Sequence, residues 1–231
     1  TEPDVVYAQG DLRFYGKLNA EERGVSQFYA RAHNTPEAQN DPFALHMEKS
    51  PSLTGLYLDA EHLDGYYRDK SVFDDGINIE DVMGVIVRYK NKAIMTYSLN
   101  AYQPWEGLNV VFNGSQGRIE MKLIEKSYVN GGGKKENEGA MESCELKVFP
   151  MFDAPYDVPV EFQKGGHGGG DTVMLNDLFG CPEPDPLARA SDFRDGALSI
   201  LTGIAANKSL KTELPVKISS LGLNMADLKK R

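Results

Sequence analysis

Cysteine is nearly absent: Cys144 and Cys181 are the only two among 231 residues. Neither a disulfide framework nor a four-ligand Cys/His zinc pattern can be written from them, so no metal is expected. Basic residues are also scarce, with 25 Lys and Arg against 34 Asp and Glu and a formal net charge of −9. A phosphate backbone or an anionic membrane needs clustered cations, so neither nucleic acid nor membrane is an expected partner. No run reaches the ~20 apolar residues of a membrane span. The opening TEPDVVYAQGDLRFYG has no basic n-region and no apolar h-region. A reducing, cytoplasmic setting is the expectation, with export of a longer parent protein left open. No G-x-S-x-G is present, and the glycine-rich turn at 165–171 matches neither nucleotide-binding glycine pattern.

What is present is, first, enough apolar sequence for a core, at 41% of residues. The chain reads as a single domain over 1–231. Val5–Ala8 has the character of a short strand, 18–51 is polar and irregular, and 53–81 mixes tyrosines with acids in the manner of an ordered surface loop. Then β-branched and aromatic runs follow one another: VMGVIVRY from Val82, AIMTYSLNA from Ala93, LNVVF from Leu108 and RIEMKL from Arg118. Their links are short and turn-like, which favours antiparallel neighbours. Residues 126–143 read as a hairpin tip, and 145–149 and 158–162 as two more strands.

Helical spacing comes late. Ser191 is the expected N-cap of a helix whose stripe is Phe193, Ala197, Leu198, Ile200, Leu201, Ile204 and Ala205. A shorter helix follows the glycine run GGHGGGD at Gly165–Asp171, with Asp171 the expected cap and Leu175, Leu178 and Phe179 its buried face. The fold expected is therefore α+β: an open, mostly antiparallel sheet of about six or more strands with helices on one face. The other face, rich in Val, Ile, Tyr and Met, would meet a second copy in a homo-oligomer.

Several constellations point to no chemistry. Asp59, Asp64, Asp69, Asp74 and Asp75 miss the EF-hand order and read as a solvated acidic loop. His33, His46 and His62 stand in polar stretches without a second ligand one helical turn away.

Four stretches carry a resemblance: Ile79–Gly107, NGSQGRIE at Asn113–Glu120, GGHGGGD at Gly165–Asp171, and SDFRDGALSILTGIAANKSL at Ser191–Leu210. In this order and spacing the chain resembles the C-terminal domain of the glucose-fructose oxidoreductase, inositol dehydrogenase and MocA (Gfo/Idh/MocA) family of NAD(P)-dependent oxidoreductases. The resemblance implies a dihydrodipicolinate-reductase-like C-terminal domain that faces substrate and oligomerises. The family's Rossmann domain and its lysine before a proline are absent, since no Lys-Pro dipeptide occurs.

The resemblance therefore implies the distal half of such an enzyme, binding no cofactor alone and inactive alone, with NAD(P) belonging to the full-length parent. It also implies a sugar-like substrate met by His167, Asp171, Tyr102 and Trp105, with His167 the one catalytic candidate. Two rival readings stand beside it: a binding or scaffold domain without catalysis, and the matching half of an NAD-dependent glycoside hydrolase of the same family.

Overall fold

The computed structural model describes residues 1–127, 141–161, 166–182 and 184–222, without the side chains of 166 and 167. In chain order the helices and strands are β1 (Pro3–Asp11), α1 (Lys17–Glu22), α2 (Pro51–Leu53), α3 (Glu61–Asp64), β2 (Val82–Tyr89), β3 (Ile94–Asn100), β4 (Glu106–Gly114), β5 (Gly117–Lys126), β6 (Ser143–Pro150), β7 (Tyr156–Asp157), α4 (Gly170–Phe179), α5 (Phe193–Thr212) and β8 (Val216–Lys217). The architecture is α+β with antiparallel sheets, as the runs and their short links imply. The strands divide between two four-stranded sheets, ordered β3-β2-β1-β8 and β4-β5-β6-β7. They belong to two compact units, one of Thr1–Ser26, Val72–Tyr102 and Pro184–Arg231, the other of Gln27–Ser71 and Gln103–Glu183.

In the first unit the core lies between α5 and the sheet. Period-two alternation puts Val6 and Ala8 of β1 and Val85 and Val87 of β2 on one face, in register as Val6↔Val87 and Ala8↔Val85. Leu201 and Ala205 of α5 close over them, with Val216 and Ile218 at the edge. The buried stripe of α5 is narrower than its apolar residues imply. Leu198, Leu201, Ala205 and Ser209 are buried, whereas Phe193, Ile200 and Ile204 are exposed. Ser209 is fully buried because its hydroxyl accepts the Ala8 N–H at 2.9 Å and donates to the Leu214 carbonyl at 2.8 Å. The N-cap is Asp192, one residue beyond Ser191. Its carboxylate accepts from the N–H groups of Arg194 and Asp195, and Asp195 returns the bond to the Asp192 N–H, a capping box.

In the second unit β4, β5, β6 and β7 form a meander. The expected strand at 158–162 is instead the two-residue β7, prolonged by one bond from the Val158 N–H to the Leu146 carbonyl. Pro159 then has no N–H to offer. The tip read at 126–143 falls mostly on residues 128–140, outside the described residues, as do Phe162 and the basic tail at 229–231. The segment 27–71 holds α2, a π-helical turn at Thr54–Leu58 and α3, the last ending on Gly65 in the left-handed region at φ 70°.

Candidate functional site

The glycine–histidine turn is a 3-10 turn over Gly166–Gly169 that leads directly into α4. Gly168 and Gly169 take φ of 65° and 88°, where a side chain would be strained, so the glycine density has a backbone reason. Gly169 is the helix N-cap, and Asp171 sits inside the first turn instead of capping it. A carboxylate there still favours the positive end of the helix dipole. Asp171 is exposed. The His167 side chain and Gly165 lie outside the described residues. Leu175, Leu178 and Phe179 do not form a buried face: they are exposed, and no residue of α4 is buried.

The other two substrate candidates sit in different settings. Tyr102, in the first unit, stacks on Phe14 with centroids 4.9 Å apart and planes 12° from parallel. Phe14 in turn carries the Arg23 guanidinium 4.1 Å from its centroid. The loop bearing Phe14 is fixed by Asp81, whose carboxylate accepts the N–H groups of Arg13, Phe14 and Tyr15, each at 2.8 Å. Burial pushes the Asp81 carboxyl up, but those N–H groups outweigh it and hold it below the usual range. Trp105, in the second unit, packs over Gly107, where a Cβ would come within 2.6 Å of the indole ring.

Sequence reasoning missed a polar cluster in the second unit. Asp69 is no solvated acid: it is 1% exposed, lies 2.9 Å from the Arg31 guanidinium and accepts the His33 N–H at 2.7 Å. Arg31 also grips Glu61 with two bonds, at 3.1 and 2.5 Å, and stands 4.8 Å from the Tyr67 centroid. His33 and His46 converge on Glu48, at 3.7 and 3.3 Å. Burial pushes the Glu48 carboxyl up, while its own N–H and the two imidazoles prevail and hold it below the usual range. Arg31 and Asp69 are 38 positions apart, so no local spacing announces the pair. Among the described residues no group of three or more His, Cys, Asp or Glu is placed to hold a metal ion.

The sheet of the second unit is two-faced. Three registered rows, Leu108–Leu123–Cys144, Val110–Met121–Leu146 and Phe112–Ile119–Val148–Tyr156, make one face apolar throughout. None of these ten residues is buried, and Phe112 is 65% exposed. The opposite face carries Asn109, Lys122, Glu145, Glu120, Lys147 and Asp157. The sheet thus presents a face that water disfavours and a face that it solvates.

The antiparallel α+β fold agrees with what the resemblance to the C-terminal domain of the Gfo/Idh/MocA oxidoreductases implies. The resemblance extends along nearly the whole chain in one relative, "Putative oxidoreductase YteT" of Bacillus subtilis, 28% identical over 239 residues that cover 95% of this chain and 51% of that protein. The chain thus spans about half of that relative's length. No protein-family model matches the chain. Among solved structures it is similar to an aldose-aldose oxidoreductase from Caulobacter crescentus complexed with glycerol, at 9% identity and TM-score 0.45 over 94% of this chain and 41% of that one. It is also similar to an oxidoreductase from Agrobacterium radiobacter in complex with NAD+, L-tartaric acid and magnesium, at 10% identity and TM-score 0.45 over 95% and 44%.

Proposed function

We propose that this chain is the substrate-binding and oligomerisation domain of an NAD(P)-dependent sugar or polyol oxidoreductase. The observation that carries the reading is the wholly apolar face of the β4–β7 sheet, set in three registered rows of which no residue is buried. A second copy of the same sheet is its proposed cover. The whole-chain relative is an oxidoreductase by name, which supports a hydride-transfer parent. In that parent a dinucleotide-binding half holds NAD(P), and this half presents the sugar.

The chemistry assigned to this chain's residues is recognition and proton handling. NAD(P) held by the parent would supply the hydride acceptor for a carbinol carbon, and a base near the carbinol oxygen would accept the hydroxyl proton. His167 is the proposed acceptor and Asp171 a hydrogen-bonding partner of the sugar. Trp105, in the same unit as the turn, offers a ring face to sugar C–H groups, and Tyr102, in the other unit, is a separate candidate for such a contact. The isolated chain is expected to bind neither NADH nor NADPH and to turn nothing over.

The test is kinetic and uses the complete parent protein with a panel of sugars and polyols. His167→Ala should lower kcat/KM by on the order of 10²-fold, the lower end of general-base effects, while leaving the Kd for NAD(P)H unchanged. Micromolar binding of NADH by the 231-residue chain alone, or a parent that oxidises no sugar, would overturn the reading. Glycoside cleavage by the parent without net NAD(P) reduction would move it to the hydrolase alternative.

A further inference from the structure

The polar face of the β4–β7 sheet bears a cleft of about 610 Å³, within the size range of small-molecule sites. Strand register builds its floor. Asn109, Lys122 and Glu145 stand directly opposite one another on β4, β5 and β6. With neighbouring strands ~4.8 Å apart, they make a row of amide, ammonium and carboxylate across the sheet. None of the three side chains has a hydrogen bond or ion pair among the described residues. The adjoining charges, by contrast, are already committed, Arg118 to Glu120 at 2.5 Å and Lys147 to Asp157 at 3.8 Å. The segment Val158 to Val160 supplies an apolar wall.

We propose that this cleft is a carbohydrate-binding subsite that takes a neutral sugar across the Asn109–Lys122–Glu145 row. The charge of the lining argues for an uncharged ligand. Three carboxylates (Glu120, Glu145, Asp157) face two ammoniums (Lys122, Lys147), so there is no excess of cations to hold a phosphate or a polyanion. A sugar hydroxyl is both donor and acceptor. The Glu145 carboxylate accepts a hydrogen bond from its O–H, the Lys122 ammonium donates one to its lone pair, and the Asn109 amide does either. The Val158–Val160 wall covers the ring's C–H groups. The subsite is built by the sheet alone and does not depend on the glycine–histidine turn or on hydride transfer.

Calorimetry and amide-resolved NMR on the 231-residue chain test it, with neutral disaccharides as probes and inorganic phosphate and a uronic-acid disaccharide as charged controls. A neutral disaccharide should shift amides of β4–β6, and the combined Asn109→Ala, Glu145→Ala variant should bind it at least about tenfold more weakly. Lys122→Met gives an independent second variant, and circular dichroism checks that each variant folds. The β4–β6 amide shifts are read on the 231-residue chain without NAD(P) or turnover, which separates failure here from failure of the oxidoreductase reading. Absence of β4–β6 shifts with every neutral probe, unchanged binding by the folded variants, or preference for a charged control would each overturn the proposal.

Discussion

Two buried polar side chains in the first unit each hold several backbone groups, and each is an exposed flank for mutation. Asp81 is 2% exposed and satisfies three successive N–H groups of the loop that carries Phe14. Asp81→Ala leaves those donors without an acceptor and should cost roughly 2–4 kcal/mol, read as a lower urea midpoint. The pH dependence follows from the same bonds. The folded pKa is depressed, so the contribution is present above the ordinary carboxylate value of about 3.9 and is lost as pH falls from there through the lower folded value. Asp81→Asn should flatten the acid limb of the stability profile. Ser209 ties α5 to β1 through the Ala8 N–H. Ser209→Ala strands that buried donor, and a loss of about 1–3 kcal/mol is expected by thermal or urea unfolding.

Elements differ in how much of their geometry is local, and the sequence was legible to that extent. The hairpin of β4 and β5 turns on Ser115 and Gln116, between Gly114 and Gly117, and its glycines announce it. Gly117 takes φ 153°, and a Cβ there would overlap the Phe149 carbonyl of β6. Gly117→Ala should therefore cost about 2–4 kcal/mol, seen as lost protection of the β5–β6 amides in hydrogen exchange. Runs such as Val82–Tyr89 match their strand because alternation and turns are both written within a few residues. The apolar residues of α4 and half of those on α5 misled for the opposite reason: helical spacing says which residues share a face, not whether anything covers it. Asp69 misled likewise, since its Arg31 partner is distant in sequence and only folding brings the two together. Among the substrate candidates, Tyr102 packs on Phe14 and Trp105 on Gly107. Residue type marked them as aromatic surfaces, but their partners were not legible from spacing.

At the scale of the whole molecule, an apolar face of the β4–β7 sheet with no buried residue in its rows must be reconciled with a chain that carries a net charge of −9. Like charge opposes association at long range but is screened beyond about 8 Å at physiological salt. The face itself holds no charged residue in its three rows, so contact there desolvates none. Burial of side chains such as Phe112 and Ile119 is worth about 25 cal/mol per Å² of apolar area, and this gain is independent of ionic strength. Association through this face should thus strengthen modestly as salt rises, the reverse of an interface held by ion pairs. Met121 lies at the centre of the middle row, in register with Val110 and Leu146. Met121→Glu puts a carboxylate where two such faces would meet, at a cost of several kcal/mol if the charge is buried unpaired. Sedimentation velocity should find the wild-type chain as a dimer or higher oligomer and Met121→Glu as a folded monomer. A wild-type chain that remains monomeric at high salt and at tens of micromolar would remove the homo-oligomer from the proposed function, because no electrostatic barrier would then be left to account for the failure of this face to pair.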